Sequence, residues 1–387
     1  ESRVIEMEKI KLGMVGGGEG AFIGEVHRIA ARMDERFHLC AGALCSDPER
    51  SLKSALDLGL PEDRSYSDYK EMAISESQRD DGINFVSIVT PNHLHHPIAK
   101  AFLEVGINVI CDKPMTMNSE EAQELIDISE SSDLIFAVTY NYSGYPLIRE
   151  AREIIKKGEL GSIRIIKVEY IQDWLTEPIE NTGQKQASWR VDPKKSGIGG
   201  SIGDIGTHAF HLAHFVTQQL PNKISADLSC FVEGRELDDN AHILMRYESG
   251  AKGMIWSSQV APGNENNLKI QIYGEKGGLI WQQENPNELI LNLLNQPSRR
   301  LTRGSSFVGD QSARLTRIPA GHPEGYLEGF ANIYREVADE FSAKISGKPI
   351  SKDILYPTSK EGLYGVSFIE AAIESNSKDS VWTDLKL

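Results

Sequence analysis

The run Gly16-Gly17-Gly18-Glu19-Gly20-Ala21-Phe22-Ile23-Gly24 constrains this chain more than any other stretch. It lies between an apolar segment, Lys11 to Val15, and a segment with helical spacing, Ala21 to Met33. A strand passing through glycines directly into a helix is the opening of a βαβ unit. Glycines at such a turn let backbone N–H groups approach an anion such as a pyrophosphate, whose charge the helix amino terminus favours. The spacing carries an insertion relative to G-x-G-x-x-G, so a strand-to-helix turn without a ligand is the alternative reading.

The alternation continues downstream. Leu39 to Leu44, Phe85 to Val89, Asn108 to Cys111 and Leu134 to Val138 read as strands, and Asp47 to Leu58 and Pro97 to Val105 read as helices. Asn118 with Glu121 resembles a capping box that opens another helix. The expectation is a six-stranded doubly wound parallel sheet. After about Tyr140 the rhythm becomes β-rich, with Ile163 to Trp174, Asp227 to Val232, Ala241 to Tyr247, Gly253 to Gln259 and Leu268 to Tyr273 as candidate strands. Glu248-Ser249-Gly250 marks a hairpin turn, and Glu324 to Phe341 and Gly362 to Ser375 have helical spacing. A chain of 387 residues exceeds one hydrophobic core. The reading is therefore α/β, with a dinucleotide-binding Rossmann domain over residues 1–140 and an α+β domain over 141–387.

A formal charge of −15 opposes nucleic acid and anionic membrane surfaces and suits a small neutral ligand. No apolar run approaches the roughly 20 residues that span a bilayer. The stretch Glu6 to Lys11 is too charged for a signal peptide, so a cytoplasmic location is expected. The four cysteines Cys40, Cys45, Cys111 and Cys230 lack CxxC spacing, and three of them fall in segments that read as buried strands. They are expected to be reduced and structural.

Three further segments carry candidate chemistry. Thr90-Pro91-Asn92-His93-Leu94-His95 follows a strand end near the point where a doubly wound sheet reverses its order, which is where ligands bind; ordinary turn residues and solvent-facing histidines are the alternative. His93, His95 and His96 invite a metal reading, but no Cys or carboxylate stands at helpful spacing, and no metal is expected. Asp112-Lys113-Pro114 ends another strand at the same edge, where an ammonium could lie over a cofactor and hydrogen-bond a reacting hydroxyl; a surface lysine is the alternative. In Gly199 to Phe215, Asp204 and His208 stand one helical turn apart and could share one hydroxyl, with imidazole suited to removing its proton. His211 and His214 extend the row but walk around the helix, so zinc is a minor reading.

In this order and context the four segments resemble the Gfo/Idh/MocA oxidoreductases over nearly the whole chain. The matched elements are the turn at Gly16 to Gly24, Thr90-Pro91-Asn92 with His95, Asp112-Lys113-Pro114 where the family has Glu-Lys-Pro, and Gly203-Asp204-Ile205-Gly206-Thr207-His208. The resemblance implies a Rossmann domain followed by a large open mixed sheet, one face of which commonly mediates oligomers; a homo-oligomer, dimer or tetramer, is expected. It also implies that Lys113 orients the substrate, Asp204 binds a hydroxyl and His208 is the general base, with Asp112 one methylene shorter than the usual Glu. Gln186 to Arg190 and Gly321 to Tyr326 resemble segments of a sugar-oxidising subgroup. Trp189 and Arg190 would then stand near the nicotinamide, and His322 and Tyr326 near the substrate; a core tryptophan and a helix start at Pro323 are the alternatives.

Candidate dinucleotide contacts are thus Gly16, Gly18, Phe22 and Ile23 at the turn, Ser46, Asp47 and Arg50 after the second strand, and Thr90, Asn92, His95, Asp112, Lys113, Asn141, Trp189 and Arg190 along the edge. Candidate substrate contacts are Lys113, Tyr142, Arg190, Asp204, His208, His322 and Tyr326. The expected cofactor is NAD, with NADP as the alternative. Leu44-Cys45-Ser46-Asp47 lacks an acidic residue at the usual ribose position, and Asp47 stands slightly late. A carboxylate reaching the ribose would repel the phosphate of NADP, whereas one turned away would leave Ser46 and Arg50 to accept it. The leading expectation is oxidation of a secondary alcohol on a sugar, anhydrosugar, glycoside or inositol. Redox-assisted glycoside hydrolysis with retained NAD, and a non-catalytic dinucleotide sensor, are the competing classes.

Overall fold

The computed structural model describes residues 8–387, so the start of the charged stretch Glu6 to Lys11 lies outside the described residues. The first layer alternates β1 (Ile10–Gly16), α1 (Phe22–Met33), β2 (Phe37–Ala43), α2 (Pro48–Asp57), α3 (Tyr69–Ser77), β3 (Phe85–Val89), α4 (His95–Glu104), β4 (Asn108–Cys111), α5 (Ser119–Ser131) and β5 (Phe136–Val138). The strands pair in parallel in the order β2-β1-β3-β4-β5. Five strands form this sheet where six were expected. After β5 the chain enters a tight turn at Asn141–Gly144 and then α6 (Pro146–Lys156), so no sixth run returns to the edge. Every residue of β3 is buried, because helices cover both faces.

On one face Val86, Ile88 and Val109 pack under Phe102 of α4 and Leu125 of α5. On the other, Leu12, Phe85 and Ile110 pack under Val26 and Ala30 of α1 and under Phe330, Ile333 and Val337 of a long late helix, Tyr326–Ile345. That helix lies within 141–387 by sequence yet covers the first sheet in space.

The second layer runs through β6 (Ile163–Ile171), two short helices α7 (Lys185–Arg190) and α8 (Pro193–Ser196), a π-turn at Ile202–Gly206 and α9 (Thr207–Thr217). It continues through β7 (Pro221–Ser229), β8 (Asn240–Tyr247), β9 (Lys252–Ser258), β10 (Asn267–Gly274), β11 (Gly277–Gln282), β12 (Glu288–Leu293) and β13 (Arg299–Thr302). Then come α10 (Asp310–Ala313), α11 (the helix at Tyr326–Ile345), α12 (Ser359–Ser377) and β14 (Thr383–Asp384). These strands make a nine-stranded sheet in the order β13-β12-β11-β10-β6-β9-β8-β7-β14, mixed because β6 and β9 run parallel. Only five of the nine had been read from the sequence. The strand expected over Ile163 to Trp174 stops at Ile171, and the one expected over Asp227 to Val232 begins at Pro221 instead.

Strand β8 shows why this sheet has one open side. Ala241, Ile243 and Met245 point into the core under α6, α9 and α12, whereas His242, Leu244 and Arg246 alternate outward. A fully buried ion pair between Arg149 of α6 and Glu336 of α11, 2.6 Å apart, ties the two layers together. Removing Glu336 would leave the Arg149 charge buried and unpaired, at a cost of about 3–5 kcal/mol, whereas without Arg149 the carboxylate keeps Arg314 at 2.9 Å. Two cysteines, Cys40 and Cys111, are buried in strands; Cys45 is half-buried after β2 and Cys230 is exposed after β7, so the count of three in buried strands is corrected to two.

Candidate functional site

A cavity of about 1000 Å³ opens where the carboxyl edge of the parallel sheet meets the second layer. Its floor on one side is the β1–α1 corner. Gly16 and Gly17 have φ of +84° and +76°, in the left-handed region that favours glycine. A Cβ on Gly18 would stand 2.7 Å from the Leu44 carbonyl oxygen, and one on Gly24 would stand 2.4 Å from Gly17 Cα. Helix α1 starts with no side-chain cap on Ala21, which leaves its first-turn N–H groups to meet an anion from the cavity. This cradle fits a dinucleotide pyrophosphate. Ile23 lines the same corner, and Phe22 stands exposed at the rim, its ring stacked 6.4 Å from that of Tyr326.

Ser46 and Arg50 line the cavity beside this corner, but Asp47 does not. Its carboxylate is the amino-terminal cap of α2, accepting the Arg50 backbone N–H at 2.8 Å, so the ribose contact expected of it is corrected. Farther along the edge Thr90, Asn92, Asp112 and Asn141 line the cavity, and His95 does not. The His95 ring is buried beneath, with Nδ1 2.7 Å from the Pro114 carbonyl and Nε2 2.9 Å from that of Thr90. It clamps two edge loops from below. His96 turns away from it to Glu124 at 2.8 Å, so these two histidines do not face a common point.

The opposite end of the cavity is built from side chains. Lys113, from the end of β4, donates from Nζ to the Asp204 carbonyl and lies 3.4 Å from Asp204 Oδ1. The same Oδ1 lies 3.3 Å from Arg190 Nε, and Oδ2 accepts from Gln259 Nε2 at 2.8 Å. Burial would push the Asp204 carboxyl up, but the Arg190 and Lys113 cations outweigh it and hold it well below the usual carboxylate range. Burial likewise pushes the Lys113 ammonium below its ordinary value, against the pull of Asp204. Arg190 lies 4.3 Å over the Trp189 ring.

Asp204 sits in the π-turn and His208 in the first turn of α9, so the pair expected on one regular helix straddles a π-bulge; both still line the cavity. The His208 imidazole is caged by the rings of Tyr142 at 4.9 Å, Tyr140 at 5.7 Å and Tyr170 at 6.0 Å. Burial first, and the Lys113 cation second, push its pKa well below the ordinary histidine value, so the ring is neutral near pH 7. His211 is packed flat on Tyr140, 4.3 Å between centroids, on the core side.

Tyr142 and Tyr326 also line this end, whereas His322 is exposed and bonded to the Pro319 carbonyl. The substrate contact expected of His322 is corrected: the turn before α11 carries Tyr326 inward and leaves His322 outside. Around Tyr142, a polar rim of residues that the sequence reading missed completes the wall. The Tyr142 and Tyr170 hydroxyls are 2.5 Å apart, and Tyr170 donates to Asn266 Oδ1 at 2.7 Å. Gln172 Nε2 donates to the same oxygen at 2.9 Å, and Trp174 Nε1 to Gln172 Oε1 at 3.0 Å. Tyr170, Gln172 and Trp174 occupy alternate positions, the period-two signal that places them on one side of the chain.

A model of the oxidoreductase family with the NAD-binding Rossmann fold matches residues 10–140, and a model of the GFO/IDH/MocA C-terminal domain matches residues 148–280. An oxidoreductase structure from Sinorhizobium meliloti is 47% identical, with TM-score 0.88, covering 97% of this chain and 100% of that one. An inositol dehydrogenase homolog from Azotobacter vinelandii, complexed with NADH and myo-inositol, is 36% identical with TM-score 0.92 and covers 98% of each chain. The levoglucosan dehydrogenase of Pseudarthrobacter phenanthrenivorans is 27% identical over 98% of this chain and 99% of its own.

Proposed function

The chain belongs to the Gfo/Idh/MocA family of NAD-binding oxidoreductases, and from that premise we propose that it oxidises a secondary alcohol of a neutral polyol, in the class of sugars, anhydrosugars, glycosides and inositols. The observation that carries this reading is the convergence of Lys113, Asp204 and His208 in the same cavity as the glycine corner. Bound NAD supplies the hydride acceptor. The neutral His208 ring takes the hydroxyl proton. The Lys113 ammonium donates to the same oxygen and stabilises the charge that develops there. Asp204, ionised between Lys113, Arg190 and Gln259, fixes the lysine and accepts from a second hydroxyl.

Charge balance favours a neutral substrate. Lys113 and Arg190 stand against Asp112 and Asp204 along the cavity wall, so an anionic substrate would bring an uncompensated charge. The rim of Tyr142, Tyr170, Gln172 and Asn266 offers hydroxyl and amide partners for adjacent hydroxyls. The inositol and levoglucosan dehydrogenase names of similar proteins support the same class. The outward face of the second sheet, where Leu244 and Met254 stand exposed, supports a homo-oligomer, which light scattering would read as a mass above one chain.

A panel of polyols incubated with NAD and followed by NADH absorbance tests the proposal, and turnover of at least one cyclitol or pyranose is expected. Dinucleotide binding with no turnover across the panel would instead mark a sensor. Reducing sugar released from glycosides without net NADH would mark redox-assisted hydrolysis.

A further inference from the structure

Behind Lys113 runs a chain of buried polar groups that the proposed reaction does not use. Asp112 precedes Lys113 at the end of β4, and its Oδ1 accepts from His27 Nε2 and from Thr139 Oγ1, each at 2.7 Å. His27 Nδ1 lies 2.7 Å from the Tyr334 hydroxyl, which lies 2.6 Å from Ser87 Oγ. His27 and Ser87 are wholly buried and Tyr334 is 1% exposed. Helices α1 and α11 and strand β3 thus converge on one carboxylate.

Donor counting fixes the Asp112 end of the chain, and a neutral ring sets the rest. An ionised carboxylate only accepts, so His27 Nε2 carries a proton. Nδ1 of the neutral ring then accepts from the Tyr334 hydroxyl, whose oxygen accepts from Ser87. Packing alone does not call for the imidazole, because Val26, Ala30 and Ala31 bury apolar side chains on the same helix and an aliphatic residue would suit position 27 as well. The polar chain adds an ionised, fixed Asp112 next to the reactive lysine. Burial would raise the Asp112 carboxyl, and His27 and Thr139 outweigh that and hold it below its ordinary value. The groups facing Asp112 are His27, His95, Thr139, Lys113 and Tyr334; those facing Lys113 are Asp204, Arg190, Asp112 and His208.

We infer that His27 is a positioning residue for the reaction: through Asp112 it supports the charge and the aim of Lys113. The inference rests on the reading of Lys113 as the group that meets the reacting hydroxyl. Without the imidazole, Asp112 loses one of its two side-chain hydrogen-bond donors, its carboxylate is held less firmly next in the chain to Lys113, and the ammonium gives up its proton at lower pH.

The test uses the full chain with His27→Leu, His27→Gln and Tyr334→Phe. Lys113 is titrated in each by carbon-13 NMR of labelled lysine, kcat/KM is followed against pH, and NAD affinity and thermal melting are measured alongside. In His27→Leu the Lys113 titration and the basic limb of kcat/KM should both fall by about one pH unit, with NAD affinity within about threefold. His27→Gln, whose amide N–H can still reach Asp112, should restore most of the shift, and Tyr334→Phe should show a smaller one. A folded His27→Leu with the wild-type titration would overturn the inference, as would a His27→Gln as shifted as His27→Leu. If His27→Leu does not fold, an unshifted Tyr334→Phe overturns it. Substantial activity in Lys113→Met would instead sink the underlying reading of the lysine, independently of these variants.

Discussion

The two ends of the cavity are made of different material. At the β1–α1 corner the chain offers backbone: glycines at positive φ, an uncapped helix start, and approaches too close for a Cβ at Gly18 and Gly24. At the other end it offers side chains drawn from separate elements: Lys113 after β4, Asp204 in the π-turn, His208 in α9, Gln259 after β9 and Asn266 before β10. A dinucleotide phosphate can be held by N–H groups that any sequence possesses, provided the corner is free of Cβ atoms. A polyol needs particular functional groups at particular points, and these are assembled over long sequence separations. The first end should therefore be sensitive to added atoms and the second to removed ones.

The largest effect is expected at Lys113. In Lys113→Met the ammonium is lost while the glycine corner is untouched, so kcat/KM should fall by about a thousandfold or more. NAD affinity, read by calorimetry, should stay within a few-fold, and a kcat near wild type would remove the lysine from the reaction. His208→Ala comes next, with a loss of about a hundred- to ten-thousand-fold that shrinks as pH rises and the alcohol ionises unaided. The wild-type pH profile follows from the same histidine. Burial and the nearby Lys113 cation depress its pKa, so the ring stays an available base as pH falls through 6.5, and activity is lost only at lower pH as it protonates. An acid limb centred at or above the ordinary histidine value would assign the base elsewhere.

Gly18→Ala tests the backbone end. Its new Cβ would press on the Leu44 carbonyl, so the NAD dissociation constant should rise by about tenfold, or about 1.4 kcal/mol, while kcat at saturating NAD stays within about twofold. A kcat loss larger than the affinity loss would mean that the two ends are not separable. The same contrast explains what could be read from the sequence. The glycine corner was legible because its whole mechanism lies in contiguous residues between a strand and a helix. Lys113 and Asp204 each stood out within their own segment, but they are far apart in sequence and only the family resemblance joined them in one site. Gln259 and Asn266 carried no local signal, since strand pairing in the second sheet alone brings them to Asp204 and Tyr170. His27 carries no local signal, since its partner Tyr334 comes from α11, distant in sequence. His95 and His322 were misplaced for the converse reason: His95 adjoins the cavity-lining Leu94 and His322 stands four residues before the cavity-lining Tyr326, but the local turn sends one side chain into the core and the other to solvent.

The smallest effect concerns Asp47, where the sequence alone left two outcomes for cofactor choice. With its carboxylate capping α2 at the Arg50 backbone N–H, Asp47 is no part of the cavity wall. Asp47→Ala should therefore leave the ratio of kcat/KM for NAD and NADP unchanged while lowering stability by about 1 kcal/mol through the lost cap, seen as a modest fall in Tm. Ser46 and Arg50 do line this part of the cavity, and a guanidinium there can meet a phosphate through charge-assisted hydrogen bonds. Wild-type protein should accordingly bind NADP as well as NAD, and Arg50→Ala should weaken NADP about tenfold, or about 1.4 kcal/mol, with NAD little changed. A preference for NAD that collapses in Asp47→Ala would show that the carboxylate leaves its cap to reach the ribose when the dinucleotide binds, and would make the corner a discriminating surface built from side chains after all.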